Sequence, residues 1–242
     1  MQSHTRCLRV LDDSAYNPIQ IALLFGNADL TRLALFGIVR VAAEQRAVWV
    51  LDGGNSFDAY FVARLARGWG MAPEVVLSRI QLSRAFTCYQ MSELITRRLG
   101  AAIHPSASAT IACLDLLETF YDDDVALADA IRLVRTVAAR LGDLAKRGNH
   151  ILITAREPRA GLRERMVLLD LLKASAQQVE RVDAPAPTST ARTVATQRQL
   201  VFARGDLVNG TNVTFVYASD FERANRAGEI QACFAARGSG SV

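Results

Sequence analysis

Short apolar runs along the chain alternate with longer stretches whose apolar residues return every three or four positions. Parallel strands joined by crossover helices produce that pattern. Ile19 to Phe25, bounded by Pro18 and Gly26, predicts the first strand, and Thr31 to Glu44 the helix after it. Ala47 to Leu51 (AVWVL) predicts the next strand, closed by Asp52, Gly53 and Gly54. Ser56 is placed to cap a helix running to Arg67, with Phe57, Phe61 and Leu65 on one face. A short strand near Ile80 to Leu82 and a helix from about Tyr89 to Leu99 follow.

Thr110 to Leu116 (TIACLDL) predicts a buried central strand with Asp115 at its end. Leu127 to Arg147 repeats Leu127, Ile131, Val134, Ala138, Leu141 and Ala145 at helical spacing, with Asp122, Asp123 and Asp124 near its positive end. His150 to Thr154 predicts another buried strand, and Leu162 to Gln177 a helix. Strand-like segments recur at Gln178 to Val182, Arg198 to Ala203 and Asn212 to Tyr217. Residues 183–197 turn to Ala, Pro, Ser and Thr without a period, which predicts a flexible loop. The expected organisation is a single domain over 1–242, with an N-terminal extension at 1–17 and a disordered tail at 236–242.

Composition narrows the picture. With 50% hydrophobic residues, 242 residues can bury the core of one α/β domain. Neither an apolar run long enough to span a membrane nor a signal-peptide core is present, so a cytoplasmic protein with no membrane partner is expected. Cys7, Cys88, Cys113 and Cys233 are widely spaced, as are His4, His104 and His150, which argues against a metal site or a histidine triad. The formal net charge is +4, and Lys146 and Lys173 are the only lysines among 28 basic residues. Arginine suits bidentate phosphate contacts, but GC-rich coding produces the same bias, so composition alone does not establish nucleic-acid binding.

The loop after the first strand is where such a fold binds nucleotide phosphate. The phosphate-loop pattern asks for Gly, four residues, Gly, Lys and Ser or Thr. The chain has Gly26, Asn27, Ala28, Asp29, Leu30, Thr31, Arg32 and Leu33. Thr31 therefore replaces the second glycine, Arg32 the lysine, and Leu33 the hydroxyl that would hold magnesium.

Further motifs supply context. Leu51-Asp52-Gly53-Gly54-Asn55-Ser56-Phe57 is followed by Gly70-Met71-Ala72-Pro73-Glu74-Val75-Val76-Leu77, then by Ser83-Arg84-Ala85-Phe86 with Gln90. In order and spacing, the stretch from Val48 to Ile95 resembles the RecA/RadA-type recombinase superfamily, especially its archaeal and eukaryotic branch. ACLDLLETF resembles the strand carrying the family's magnesium-associated aspartate, here Asp115, and HILITARE the sensor strand. The resemblance implies a RecA-like three-layer α/β core, with a mostly parallel sheet flanked by helices.

Transferred position by position, the resemblance implies loss of chemistry. The family's catalytic glutamate falls on Gly54 and its sensor glutamine on Arg156. No catalytic residue, cofactor or metal is therefore expected. Residual nucleotide contact, amounting to weak ATP binding, would fall to Gly26, Arg32 and Asp115, although Asp115 could equally cap nearby amides. A metal site built from Asp52, Asp115 and Asp122 to Asp124 is a further alternative.

Of the two regions where the family binds DNA, Glu118 to Asp124 is acidic. The second carries Arg156, Arg159, Arg163 and Arg165, with Arg192 and Arg198 beside the Pro/Thr/Ser loop. These six are the candidate contacts to single-stranded DNA, against a solvated helix face laced with Glu157, Glu164 and Asp170. Phe221 and Ala224 have the spacing of the family's polymerisation motif, at a different place in the chain. The expected function is a catalytically inactive RecA-like protein that binds other proteins, RecA-family paralogues among them, as an accessory factor in DNA recombination or repair. The alternatives are a single-stranded DNA-binding module without ATPase activity and a weak nucleotide-binding regulator.

Overall fold

The computed structural model describes residues 20–103, 108–184, 200–202 and 215–217. The predicted N-terminal extension, His4, Cys7, His104, Arg192, Arg198, Phe221 to Ala224, Cys233 and the tail lie outside the described residues, as does the predicted loop from residue 185 onward. The chain divides into two compact units, Met1–Pro185 and Ala186–Val242.

The first unit opens with β1 (Ile21–Phe25), α1 (Leu30–Ala43), β2 (Val48–Asp52), α2 (Ala59–Gly68), α3 (Pro73–Leu77) and β3 (Ile80–Arg84). Next come α4 (Cys88–Glu93), a π turn (Leu94–Arg98) and α5 (Leu99–Ala102), where one predicted helix ended at Leu99. β4 (Thr110–Leu114), α6 (Leu127–Lys146), β5 (His150–Ala155), α7 (Met166–Ser175) and β6 (Gln178–Arg181) complete it. In the second unit, β7 (Leu200–Phe202) pairs antiparallel with β8 (Phe215–Tyr217).

The six strands of the first unit form one parallel sheet in the order β3-β2-β4-β5-β1-β6. β1, β4 and β5 are buried on both faces, which is why they read as continuous apolar runs. Ile21, Leu23 and Phe25 join Ile111, Cys113, Ile151 and Ile153 in a core with residues of α4 to α7. Their neighbours Ala22, Leu24, Val48, Val50, Ala112 and Leu152 are also buried and, by the alternation of a strand, point to the face of α1, α2 and α3. Helices thus cover both faces of the sheet, and the three-layer RecA-like α/β core expected from the sequence is what the chain forms.

Local sequence explains where the elements stop. α1 is apolar nearly all round because it is buried, and Gln45, at φ 66, turns the chain out of it. α6 buries the stripe Ala130, Val134, Val137, Leu141, Leu144 and Ala145, each Leu or Val worth about 1.5–3 kcal/mol. The helix predicted from Leu162 instead begins as a 3-10 segment (Ala160–Arg165), kinked at Leu162, and becomes α-helical at Met166. Ser56 does not cap α2 as predicted. Asp58 does, accepting from Phe61 N at 2.9 Å.

Crossovers toward β3 place α1 to α3 on one face, and those toward β6 place α4 to α7 on the other, as right-handed connections require. The chain therefore leaves β1 and β5, which are neighbours, toward opposite faces, and likewise β2 and β4. Such switch points at the carboxyl ends of parallel strands are where open α/β sheets bind ligands. Among the described residues no helix is long and apolar enough to cross a membrane.

Candidate functional site

The switch points bring together the ends of β1, β2, β4 and β5, and the centre of the cluster is Asp115. The predicted strand stops at Leu114 because Asp115 takes φ 46, a left-handed conformation uncommon for a residue with a Cβ. That turn directs Asp115 N to Thr154 Oγ1 at 2.8 Å and Leu116 N to the Thr154 carbonyl at 2.9 Å. The Asp115 side chain is 3% exposed. Its Oδ2 accepts from the Thr31 hydroxyl at 3.2 Å and lies 3.5 Å from Arg156 Nη2. Oδ1 is buried and accepts no hydrogen bond from the protein. Strand-end amides are capped not by Asp115 but by fully buried Asp52, which accepts from Ser56 N, Phe57 N and Arg84 Nε.

Gly54, where the resemblance places a catalytic glutamate, lies directly against Asp115. A Cβ there would sit 2.6 Å from Asp115 Cβ and 2.7 Å from Asp115 Oδ2. Thr31 Oγ1 is also 3.2 Å from Ser56 Oγ, and Ser56 in turn contacts Asp52, so the two carboxylates are joined through hydroxyls.

The phosphate-loop position is folded onto the strand beside it. Ala28 N donates to the Val182 carbonyl at 3.1 Å, Val182 N to the Phe25 carbonyl at 2.7 Å, and Ala184 N to Asn27 Oδ1 at 2.7 Å. Gly26 has φ 134, and a Cβ there would collide with the Val182 carbonyl. α1 starts at Leu30, and the Asp29 carboxylate accepts from Arg32 N at its amino end, the place where an anion would sit. Arg32 pairs with Asp29 at 3.2 Å and lies over the Phe61 ring, 5.3 Å from its centroid, and Leu33 is buried. Arg181 closes the same end of the sheet, bridging Glu157 at 2.9 Å and Asp183 at 2.7 Å. Its hydrogen bond to Asp183, then the Glu157 charge, raises the Arg181 pKa, and the same hydrogen bond holds Asp183 below the usual carboxylate range.

The predicted DNA-contacting arginines separate into different environments. Arg156 is half exposed and faces Asp115. Arg159 is exposed and loosely paired with Glu118 at 3.7 Å, and Arg163 is exposed. Arg165 corrects the expectation, since it is 4% exposed and donates to the Phe120 carbonyl at 2.9 Å and the Val125 carbonyl at 2.6 Å. It pins the segment after β4 rather than facing solvent. Tyr121 assists by donating to the Arg156 carbonyl at 2.9 Å. Burial, followed by the nearby Glu118, Glu157 and Asp170 charges, pushes the Tyr121 hydroxyl above its ordinary pKa.

Asp52 and Asp115 are linked through Ser56 and Thr31, but no third acidic residue among those described joins them. Among the described residues no group of three or more His, Cys, Asp or Glu side chains is placed to hold a metal ion. Sequence reasoning gave Thr31 only as the replacement of a loop glycine, Ser56 only as a helix cap and Thr154 only as the end of a strand, and it passed over Arg181, because contacts between strands carry no periodicity. A scan against protein-family models finds no match, and a sequence search of curated proteins finds none.

Proposed function

We propose that this chain is a degenerate member of the RecA/RadA-type superfamily that has lost ATP hydrolysis and works by binding other proteins, as an accessory factor in DNA recombination or repair. The observation that carries the reading is the filled phosphate-loop position. Asp29 supplies the negative charge at the start of α1, the Val182 carbonyl takes the Ala28 amide, and Arg32 is engaged by Asp29. Phosphoryl transfer relies on positioned amides, a lysine, a magnesium-binding hydroxyl and a residue that orients water. Here the last of these is a glycine pressed against Asp115. The aromatic side chains Tyr60, Phe86 and Tyr89 are 87%, 70% and 54% exposed and so are accessible to a protein partner.

Titration with ATP and magnesium, with phosphate release measured in parallel, tests the reading. No hydrolysis above background is expected. Magnesium-dependent hydrolysis abolished by Asp115→Ala would refute it.

A second reading, binding of single-stranded DNA, draws on the exposure of Arg159 and Arg163. It requires an affinity that falls steeply with salt and is weakened by Arg159→Ala with Arg163→Ala. Absence of any complex at low salt would remove it.

A further inference from the structure

The two edges of the six-stranded sheet are built differently. β6 carries two charged residues in four, Glu180 and Arg181, and Arg181 is tied to Glu157 and Asp183. β3 carries one in five, Arg84, whose guanidinium is turned back onto Asp52. No lysine or proline interrupts Ile80–Arg84, although these residues commonly guard a free edge. Leu82 is 38% exposed, with exposed Phe86 and Tyr89 just beyond the strand.

Backbone direction identifies which groups point away from β2. The Arg79 carbonyl accepts from Val48 N, and Ala85 N donates to the Asp52 carbonyl. Successive residues of a strand turn their amides and carbonyls to opposite sides, so residues 81 and 83 also face β2. Ile80, Leu82 and Arg84 direct theirs outward, and among the described residues β3 pairs with β2 alone.

We propose that β3 pairs antiparallel with β3 of a second copy of this chain, about a two-fold axis at Leu82, joining two sheets into one. In that register Leu82 meets Leu82 and exchanges both hydrogen bonds, while Ile80 of each chain meets Arg84 of the other. Gln81 meets Ser83. Apolar faces apolar, amide faces hydroxyl, an aliphatic side chain faces a guanidinium stem, and no like charges are opposed. A second copy is favoured over an unrelated strand because one register satisfies every outward backbone group and every side-chain pair together. The contact is isologous and closes at two chains. It stands on the edge geometry and is independent of the ATPase reading.

Analytical ultracentrifugation and cysteine cross-linking of the full chain test it, the latter with Cys7→Ser and Cys233→Ser to remove thiols outside the buried pair Cys88 and Cys113. Directly opposite residues of a hydrogen-bonded antiparallel pair hold their Cβ atoms at the wide end of about 4.5–5.5 Å, beyond the roughly 3.5–4.5 Å of a relaxed disulfide, so a short bis-maleimide is the cross-linker. The wild type should sediment as a dimer, and Leu82→Cys should cross-link with that reagent. Val179→Cys on the opposite edge should not. Leu82→Lys opposes two ammonium groups across the axis and should yield a folded monomer; where that variant loses its helical circular dichroism, the cross-link decides. A monomeric wild type, a dimer that a folded Leu82→Lys leaves intact, cross-linking through Val179→Cys alone, or open-ended assembly would each overturn the proposal.

Discussion

Replacing Gly54 by alanine adds a methyl carbon 2.6 Å from Asp115 Cβ and 2.7 Å from Asp115 Oδ2, separations that real Cβ atoms essentially never show. Asp115 has little room to retreat, because its amide is held by Thr154, its carboxylate by Thr31, and it is 3% exposed. Overpacking of this kind costs about 1–3 kcal/mol. With a urea slope of about 2 kcal/mol/M, the unfolding midpoint should fall by roughly 0.5–1.5 M. Gly54→Glu, which restores the residue type a RecA-like ATPase uses there, also sets a second carboxylate beside Asp115. It should destabilise further and yield no ATP hydrolysis. Asp115→Gly removes the opposing Cβ and suits φ 46, so in that background Gly54→Ala should cost less than about 0.5 kcal/mol. Urea unfolding followed by the fluorescence of Trp49 and Trp69 measures all four corners of the cycle. Equal losses in the two backgrounds, or a Gly54→Ala variant as stable as the parent, would refute the packing argument.

Other positions give independent checks. Arg165→Met removes two charge-assisted hydrogen bonds to buried carbonyls and should cost about 2–4 kcal/mol, whereas exposed Arg163→Ala should change stability by less than about 0.5 kcal/mol; thermal unfolding compares them, and equal effects would contradict the buried placement. Gly26→Ala places a Cβ on the Val182 carbonyl at φ 134 and should destabilise by about 3 kcal/mol from overpacking and backbone strain together, read as a lower denaturant midpoint. Burial pushes the Cys113 thiol up to about 12 and raises Cys88 as well. Because the thiolate is the reactive form, neither should be modified by a disulfide reagent at pH 8 until the protein is unfolded. Mass spectrometry locates the label, and native modification of Cys113 would show that it is accessible.

The fold was legible where burial is continuous. β1, β4 and β5 sit in the middle of a parallel sheet, so their apolar runs stand out, and the stripe of α6 shows its period over five turns. Element ends were less legible. The chain leaves β4 one residue past the end of that strand because Thr154, on another strand, draws the Asp115 amide into a left-handed turn. Capping fell to Asp58, which accepts from Phe61 N, while the Ser56 hydroxyl is engaged by Thr31 and Asp52.

The candidate site divides in the same way. Sequence by itself determined the absence of a lysine at Arg32, of a hydroxyl at Leu33 and of a carboxylate at Gly54, since the side-chain chemistry available at a position is a local property. Only tertiary structure decided that Val182 folds onto the loop at Gly26, that Asp115 fills the space beside Gly54, and that Arg165 points inward while Arg159 and Arg163 point out. Those outcomes depend on partners tens of residues away, brought together by strand order, and contacts of that kind leave no periodic trace along the chain.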